Sequence, residues 1–279
     1  MTSDCCPELD FIQFSGAGVD DRHGALGASW KFHAVAARPG HRLIRPVRFG
    51  VCQPLVEPAP PPPNSLDKVE LRPGIIMPVL DNDGLEVLAF MLDAERNVIR
   101  EIGVCLNDEE RRRAERLRLE RERRRFVATR GQLRRVLASK LGISPSDVEL
   151  EYGRLGKPHL SHSMPARDLR FSVSRSGDVA VVALSTGQEV GVDIEAVLPV
   201  PEADEIAALS FSASEYGSYA ALAPEDRVEG FLRRWTRLEA ISKALGCGLG
   251  QPLSWDERDW AVRRFVPKPG YIGTVVVRN

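Results

Sequence analysis

A chain of 279 residues, 43% of them hydrophobic, can bury a sizeable core as one large domain or two small ones. A formal net charge of -1 argues against a generic nucleic-acid or membrane binder. The five cysteines, Cys5, Cys6, Cys52, Cys105 and Cys247, are odd in number and fit no zinc or disulfide spacing, so free thiols in a reducing compartment are expected. The opening stretch MTSDCCPELDFIQF lacks a basic segment followed by an apolar one, so no signal peptide is read, and no apolar run approaches the ~20 residues of a membrane span. A cytoplasmic monomer is the resulting expectation.

Residues 1–75 have weak periodicity and scattered Gly, Pro and Arg, and run into EPAPPPPNS at 57–65. They read as an irregular, Pro-rich extension, disordered or a semi-rigid linker. A clean pattern begins near Met77, and 85–92 suit a strand. The arginine-rich segment that follows predicts two helices, near 108–119 and 121–140. Asn107 or Asp108 can cap the first, and Gly142 stops the second. SPSDVELEYG is turn then strand, RLGKPHL a loop, and LRFSVSRSGDVAVVALS a hairpin turning at Ser176, Gly177 and Asp178.

The strand EVGVDIEAV, residues 189–197, interrupts its apolar run with two acids. Alternation puts Val190, Val192 and Ile194 on one face and Gly191, Asp193 and Glu195 on the other. A bare D-x-E is more often the solvated face of an edge strand. A hard divalent cation such as Mg²⁺ is the other reading, because it reverses the cost of burying two like charges. Helices dominate from 199 on: FSASEYGSYAAL opens with Ser212 and Glu215 at capping-box spacing, and EDRVEGFLRRWTRLEAISKALGCGL is a strong helix stopped by glycine. GYIGTVVVR returns to strand. Strands and helices without βαβ alternation argue an α+β fold. Glu239 and Lys243 lie four apart on one helical face, by themselves an ordinary surface ion pair. With the two strand acids they could also build a metal and phosphate site.

VGVDIE followed by FLRRWTRLEAISKALGCGL resembles the paired signature of 4′-phosphopantetheinyl transferases of the surfactin-synthetase-activating type: a G-[IV]-D-x-E strand, then a W-[ST]-x-[KL]-E-x-x-x-K helix closed by G-x-G-L. YGRLGKPHL is similar to that family's Y-G-x-x-GKP-x-L loop, and FSVSRSGDVAVVAL to its F-N-x-SHSG hairpin. RRRFVATRGQLRRVL fits the N-terminal half, and the likeness covers about 77–279. Arg175 stands where the family usually has His, and Leu238 where it often has Lys.

The resemblance implies a pseudo-dimer of two similar α+β subdomains, 76–188 and 189–279, with the active site at their junction and the metal site in the second. It implies transfer of the phosphopantetheine arm of coenzyme A to a serine of an apo acyl or peptidyl carrier protein, releasing adenosine 3′,5′-bisphosphate. Asp193, Glu195 and Glu239 would hold Mg²⁺. Glu239 would accept the serine proton, and Lys243 would neutralise the leaving pyrophosphate. Lys157, Ser174 and Arg175, joined by Arg124 or Arg125, would hold the 3′-phosphate and ribose of coenzyme A. Two other readings remain: a catalytically weak relative that binds coenzyme A or a carrier, and an arginine-helix nucleic-acid binder. The second finds no recognised motif.

Overall fold

The alternating stretch from Met77 forms a hairpin of β1, Met77–Asn82, and β2, Leu85–Met91, and Gly84 supplies the positive φ its turn needs. This computed structural model describes residues 71–82, 84–247 and 256–279; expectations placed on 1–70, and on the glycine-rich segment beyond Cys247, fall outside them. Residues 71–75, read as part of the extension, belong to the folded body. Leu71 is buried, Pro73 bridges to Met91, and Gln132 donates to the Gly74 carbonyl.

Helix α1, Arg96–Gly103, follows, then α2, Asp108–Arg116, and α3, Glu120–Leu141. Asn107 caps α2 through a full capping box with Glu110, and Gly142 ends α3 in the left-handed region. The arginines here are not uniformly solvated. Arg134 is buried on α3, where its Nε donates to Glu110 Oε2 at 2.7 Å and its guanidinium to the Pro145 and Val148 carbonyls. A carboxylate partner and two carbonyl acceptors offset the cost of burying so polar a group.

Short strands β3, Leu150–Tyr152, and β4, Pro158–Leu160, pair with each other, so part of the expected loop at RLGKPHL is strand. The hairpin of β5, Leu169–Ser176, and β6, Val179–Thr186, turns at Gly177 as expected, with φ of 53°. It completes an antiparallel sheet ordered β1-β2-β6-β5. After β7, Val190–Ala196, come α4, Ala203–Ser210, α5, Ala213–Ala220, and α6, Arg227–Leu245. Strands β8, Trp260–Phe265, and β9, Tyr271–Arg278, close a second antiparallel sheet ordered β7-β9-β8.

The fold is α+β, with two halves each built as a sheet backed by one long helix. Alternation sorts the core. Leu88, Phe90, Ala180, Val182 and Leu184 face α3, whereas Val87, Ala89, Val179, Val181 and Ala183 meet Val190, Val192, Ile194 and Val275 of the second sheet. The outer face of the second sheet is covered by α6 through Ala240, Ile241 and Ala244. Gly191 permits that approach: a Cβ there would lie 1.9 Å from the Ala240 carbonyl oxygen. The two sheets therefore bury their apolar faces against each other and turn β7's acidic face toward α6. Cys105 and Cys247 are free thiols, and no helix among the described residues is long and apolar enough to cross a membrane.

Candidate active site

Asp193 and Glu195 are only 3% and 7% exposed, so the solvated-edge alternative does not hold for β7. Both sit on the face closed by α6, which brings Glu239 and Lys243 down from above. Lys243 does not form the within-helix ion pair that its spacing offers. Its Nζ lies 2.6 Å from Asp193 Oδ1 and donates at 3.1 Å to Ser174 Oγ. Ser174 Oγ in turn donates to Asp193 Oδ1 at 2.8 Å, and Ser176 Oγ to Glu195 Oε2 at 2.7 Å. Asp193 Oδ2 is buried with no hydrogen-bond partner.

One ammonium thus faces three carboxylates, and their proton affinities follow. Burial, reinforced by the Asp193 charge, pushes Glu195 up to about 8. Burial pushes Glu239 up to about 7, against the pull of Lys243. Asp193 is raised by burial even though Lys243 and Ser174 oppose it. Burial pulls Lys243 down, but the Asp193 and Glu239 charges outweigh it and its net shift is upward. A carboxyl raised in the folded state keeps a proton that the unfolded chain releases. Glu195 and Glu239 therefore contribute stability that is full below their ordinary 4.5 and is lost as pH rises through about 7 to 8. The melting temperature of cation-free protein is expected to fall between about pH 6 and about pH 8.5, and Glu195→Gln should flatten that fall. A melting series across this range checks it; a pH-independent wild type contradicts it.

Three clustered carboxyls, one of them with an unpartnered buried oxygen, are the donor chemistry a hard divalent cation takes once it displaces their protons. In the arrangement described, Lys243 supplies the positive charge, and no group of three His, Cys, Asp or Glu residues is gathered tightly enough to cage an ion among the described residues. The donor set fits such a cation with its remaining positions filled by water and phosphate oxygens, as Mg²⁺ prefers.

The residues expected at coenzyme A separate into distinct places. Alternation along β5 sends Ser174 and Arg175 to opposite faces. Ser174 has its hydrogen-bonding capacity filled, donating to Asp193 and accepting from Lys243 and from the Ile194 N–H, so its hydroxyl belongs to the acid cluster rather than to a phosphate beside Arg175. Arg175 points toward α3, with Nη1 3.4 Å from Glu122 Oε2. Burial pulls its guanidinium below the usual arginine range; Glu122 opposes this, and Arg125 and Arg130 add to it. Arg125 is spent structurally. It grips Asp93 with two hydrogen bonds of 2.8 Å and holds that carboxyl at about 2. Arg124 donates to the Ala94 carbonyl, so both arginines tie α3 to the segment after β2. Lys157 Nζ is held by Glu189 Oε2 at 3.0 Å and by the Ala244 carbonyl at 2.9 Å, docking the β3–β4 loop on the last turn of α6.

Sequence reasoning missed Arg130. Its guanidinium lies 5.8 Å from the Phe126 ring centre and 5.5 Å from that of Tyr152, and it contributes to the positive field on Arg175. The available signal was the i, i+4 spacing from Phe126 together with the tyrosine of the YG loop. Trp235, which shares a helical face with Glu239, is a core residue stacked on Phe231. Ser212 and Glu215 make the expected capping box, and Glu215 also pairs with Arg237.

Two family models match. One, described as the 4′-phosphopantetheinyl transferase superfamily, covers residues 189–269; the other, described as the 4′-phosphopantetheinyl transferase N-terminal region, covers 94–187. Among relatives, the chain is 31% identical over 170 residues to the 4′-phosphopantetheinyl transferase HetI of a Nostoc species, spanning 61% of this chain and 72% of that protein. It is 40% identical over 122 residues to the 4′-phosphopantetheinyl transferase AcpT of Salmonella typhimurium, 44% of this chain and 61% of that one. It is 30% identical over 162 residues to the human L-aminoadipate-semialdehyde dehydrogenase-phosphopantetheinyl transferase, 55% of this chain and 52% of that one.

Proposed function

The chain belongs to the 4′-phosphopantetheinyl transferase superfamily and is a transferase, and from that premise we propose that it moves the phosphopantetheine arm of coenzyme A to a serine of an apo acyl or peptidyl carrier protein, with Mg²⁺, at the junction of its two halves. The observation that carries the site is the buried Asp193–Glu195 pair facing Glu239 and Lys243, with Asp193 Oδ2 left over. The division near residue 188 is part of the proposal, supported by family models that end at 187 and begin at 189.

The serine oxygen bonds to the phosphorus bearing the pantetheine arm, and the bond from that phosphorus to the bridging oxygen breaks. Adenosine 3′,5′-bisphosphate leaves. Catalysis of such a step is positioning and charge neutralisation more than covalent chemistry. Asp193, Glu195 and Glu239 would hold Mg²⁺, which when bound supplies positive charge to pyrophosphate oxygens. Glu239, raised to about 7, is suited to take the serine proton near neutral pH. Lys243 would turn from Asp193 toward the leaving phosphate. Arg175 and Arg130, two cations on one side of the junction, offer the 3′-phosphate a place where an anion relieves their repulsion. Lys157, held by Glu189 and the Ala244 carbonyl, keeps the β3–β4 loop docked on the end of α6.

Since raised carboxyls must lose protons to accept a cation, Mg²⁺ with coenzyme A should stabilise the protein more at about pH 8 than at about pH 6.5. Thermal shifts at both pH values test this; no Mg²⁺ response at either would remove the metal from the proposal.

Arg175→Ala is expected to raise KM for coenzyme A about tenfold or more, with a smaller effect on kcat, because each charge-assisted hydrogen bond lost is worth roughly 1.5–3 kcal/mol. On dephospho-coenzyme A, which lacks the 3′-phosphate, wild type and variant should differ little. Equal KM values on coenzyme A would refute the assignment.

A further inference from the structure

Serines 172, 174 and 176 occupy alternate positions on β5, the outer strand of the first sheet, and face β7, the outer strand of the second. No backbone ladder joins these two strands. Instead the N–H groups of Val192, Ile194 and Ala196 donate to the hydroxyls of Ser172, Ser174 and Ser176 at 3.1, 3.3 and 3.1 Å. The side chains replace the carbonyls of a missing neighbour, so the buried edge of β7 stays satisfied.

Two of the three rungs do a second job. A hydroxyl has one proton to give. Ser174 gives its proton to Asp193, and Ser176 gives its proton to Glu195 at 2.7 Å. Ser172 donates to neither acid. The turn carrying Ser176 is fixed from the second half as well. Lys268 Nζ donates to Asp178 Oδ2 at 2.9 Å, the Tyr271 hydroxyl donates to Asp178 Oδ1, and a Cβ on Gly177 would lie 2.5 Å from the Tyr271 oxygen. The register of the hairpin against β7 is therefore set by contacts on both sides of Ser176.

We propose that Ser176 is a positioning residue: from the first half of the chain it fixes the rotamer of Glu195 on the second, so the cation site is assembled only when β5 and β7 are stitched in this register. The inference rests on the reading of Asp193 and Glu195 as cation ligands. Glu195 uses one oxygen on Ser176 and keeps the other for a cation, the arrangement by which outer hydrogen-bond partners orient ligating carboxylates.

Ser172→Ala supplies an internal control, since it removes one stitch and no carboxylate contact. Ser172→Ala and Ser176→Ala should each lower the melting temperature, because each leaves one N–H of β7 without its acceptor. Only Ser176→Ala should raise the Mg²⁺ concentration that half-saturates thermal stabilisation in the presence of coenzyme A, by about tenfold. The KM for Mg²⁺ should rise with it while saturating Mg²⁺ recovers most of kcat. Ser176→Thr, which keeps the hydroxyl at a half-buried position, should restore the midpoint. If wild type responds to Mg²⁺ and Ser176→Ala has the same midpoint, Ser176 is a stitch alone and the inference fails while the metal reading stands. If wild type shows no Mg²⁺ response, the metal reading falls and this inference with it.

Discussion

Replacing Asp193 by alanine is expected to cut carrier modification by about a hundredfold or more while leaving the protein folded. The packing of β7 is carried by Val190, Val192 and Ile194 on the opposite face, all fully buried in the core between the sheets. Removing Asp193 deprives Lys243 of its 2.6 Å partner, but Glu195 and Glu239 remain within its electrostatic reach. The cluster goes from three acids against one lysine to two against one, so the ammonium is not left uncompensated. Glu195→Gln should be similarly inactive yet at least as stable near neutral pH, because an amide keeps an acceptor for Ser176 and, unlike the carboxyl, never has to be held neutral or charged beside Asp193. Melting curves beside carrier-modification rates separate the two effects. An active Asp193→Ala protein would show that the buried acids serve the fold and not the chemistry.

Gly191→Ala should be the most damaging single methyl addition near the site. The new Cβ would meet the Ala240 oxygen at 1.9 Å, the Ala244 nitrogen at 2.5 Å and the Ala244 Cβ at 2.9 Å. Two of those atoms are helix backbone, which cannot swing away as a side-chain tip can. Helix α6 or strand β7 must shift, at a cost of roughly 3 kcal/mol or more. The same shift pulls Glu239 and Lys243 away from Asp193, so activity should fall further than stability alone explains. Denaturant midpoints of wild type and variant, read with single-turnover transfer rates under conditions where both are folded, check this. A variant of wild-type stability would mean that α6 does not sit on β7 as closely as described.

Much of this site was legible in the chain. The period-two pattern of VGVDIE placed both acids on one face with Gly191, and the i, i+4 spacing put Glu239 with Lys243. The partner of each charge was not legible, because pairing across elements depends on which strand edges meet. Nothing local in KALG reveals that Lys243 reaches Asp193 rather than Glu239, or that Lys157 turns to Glu189. Arg124 and Arg125 looked available for phosphate because helical periodicity does not show that Asp93 and Ala94 lie alongside α3. Alternation along β5 could have separated Ser174 from Arg175, since neighbours in a strand face opposite ways. Among the elements, α1 and β8 are short and were not read: α1 has only Ile99 and Ile102 buried, and β8 carries two arginines in six residues. Such segments take their structure from tertiary contacts more than from intrinsic preference. Leu71 lay beyond the first periodic strand and became part of the fold through contacts no local pattern encodes.

The most direct test is to incubate the full chain with coenzyme A, Mg²⁺ and a set of apo acyl and peptidyl carrier proteins and to weigh each carrier intact. The account predicts that at least one carrier gains the mass of one phosphopantetheine, that mutating the carrier's acceptor serine abolishes the gain, and that a chelator suppresses it until Mg²⁺ is restored. A gain that persists undiminished in excess chelator would contradict the metal assignment. No gain on any carrier, from protein shown to be folded and to bind coenzyme A, would contradict the transferase itself.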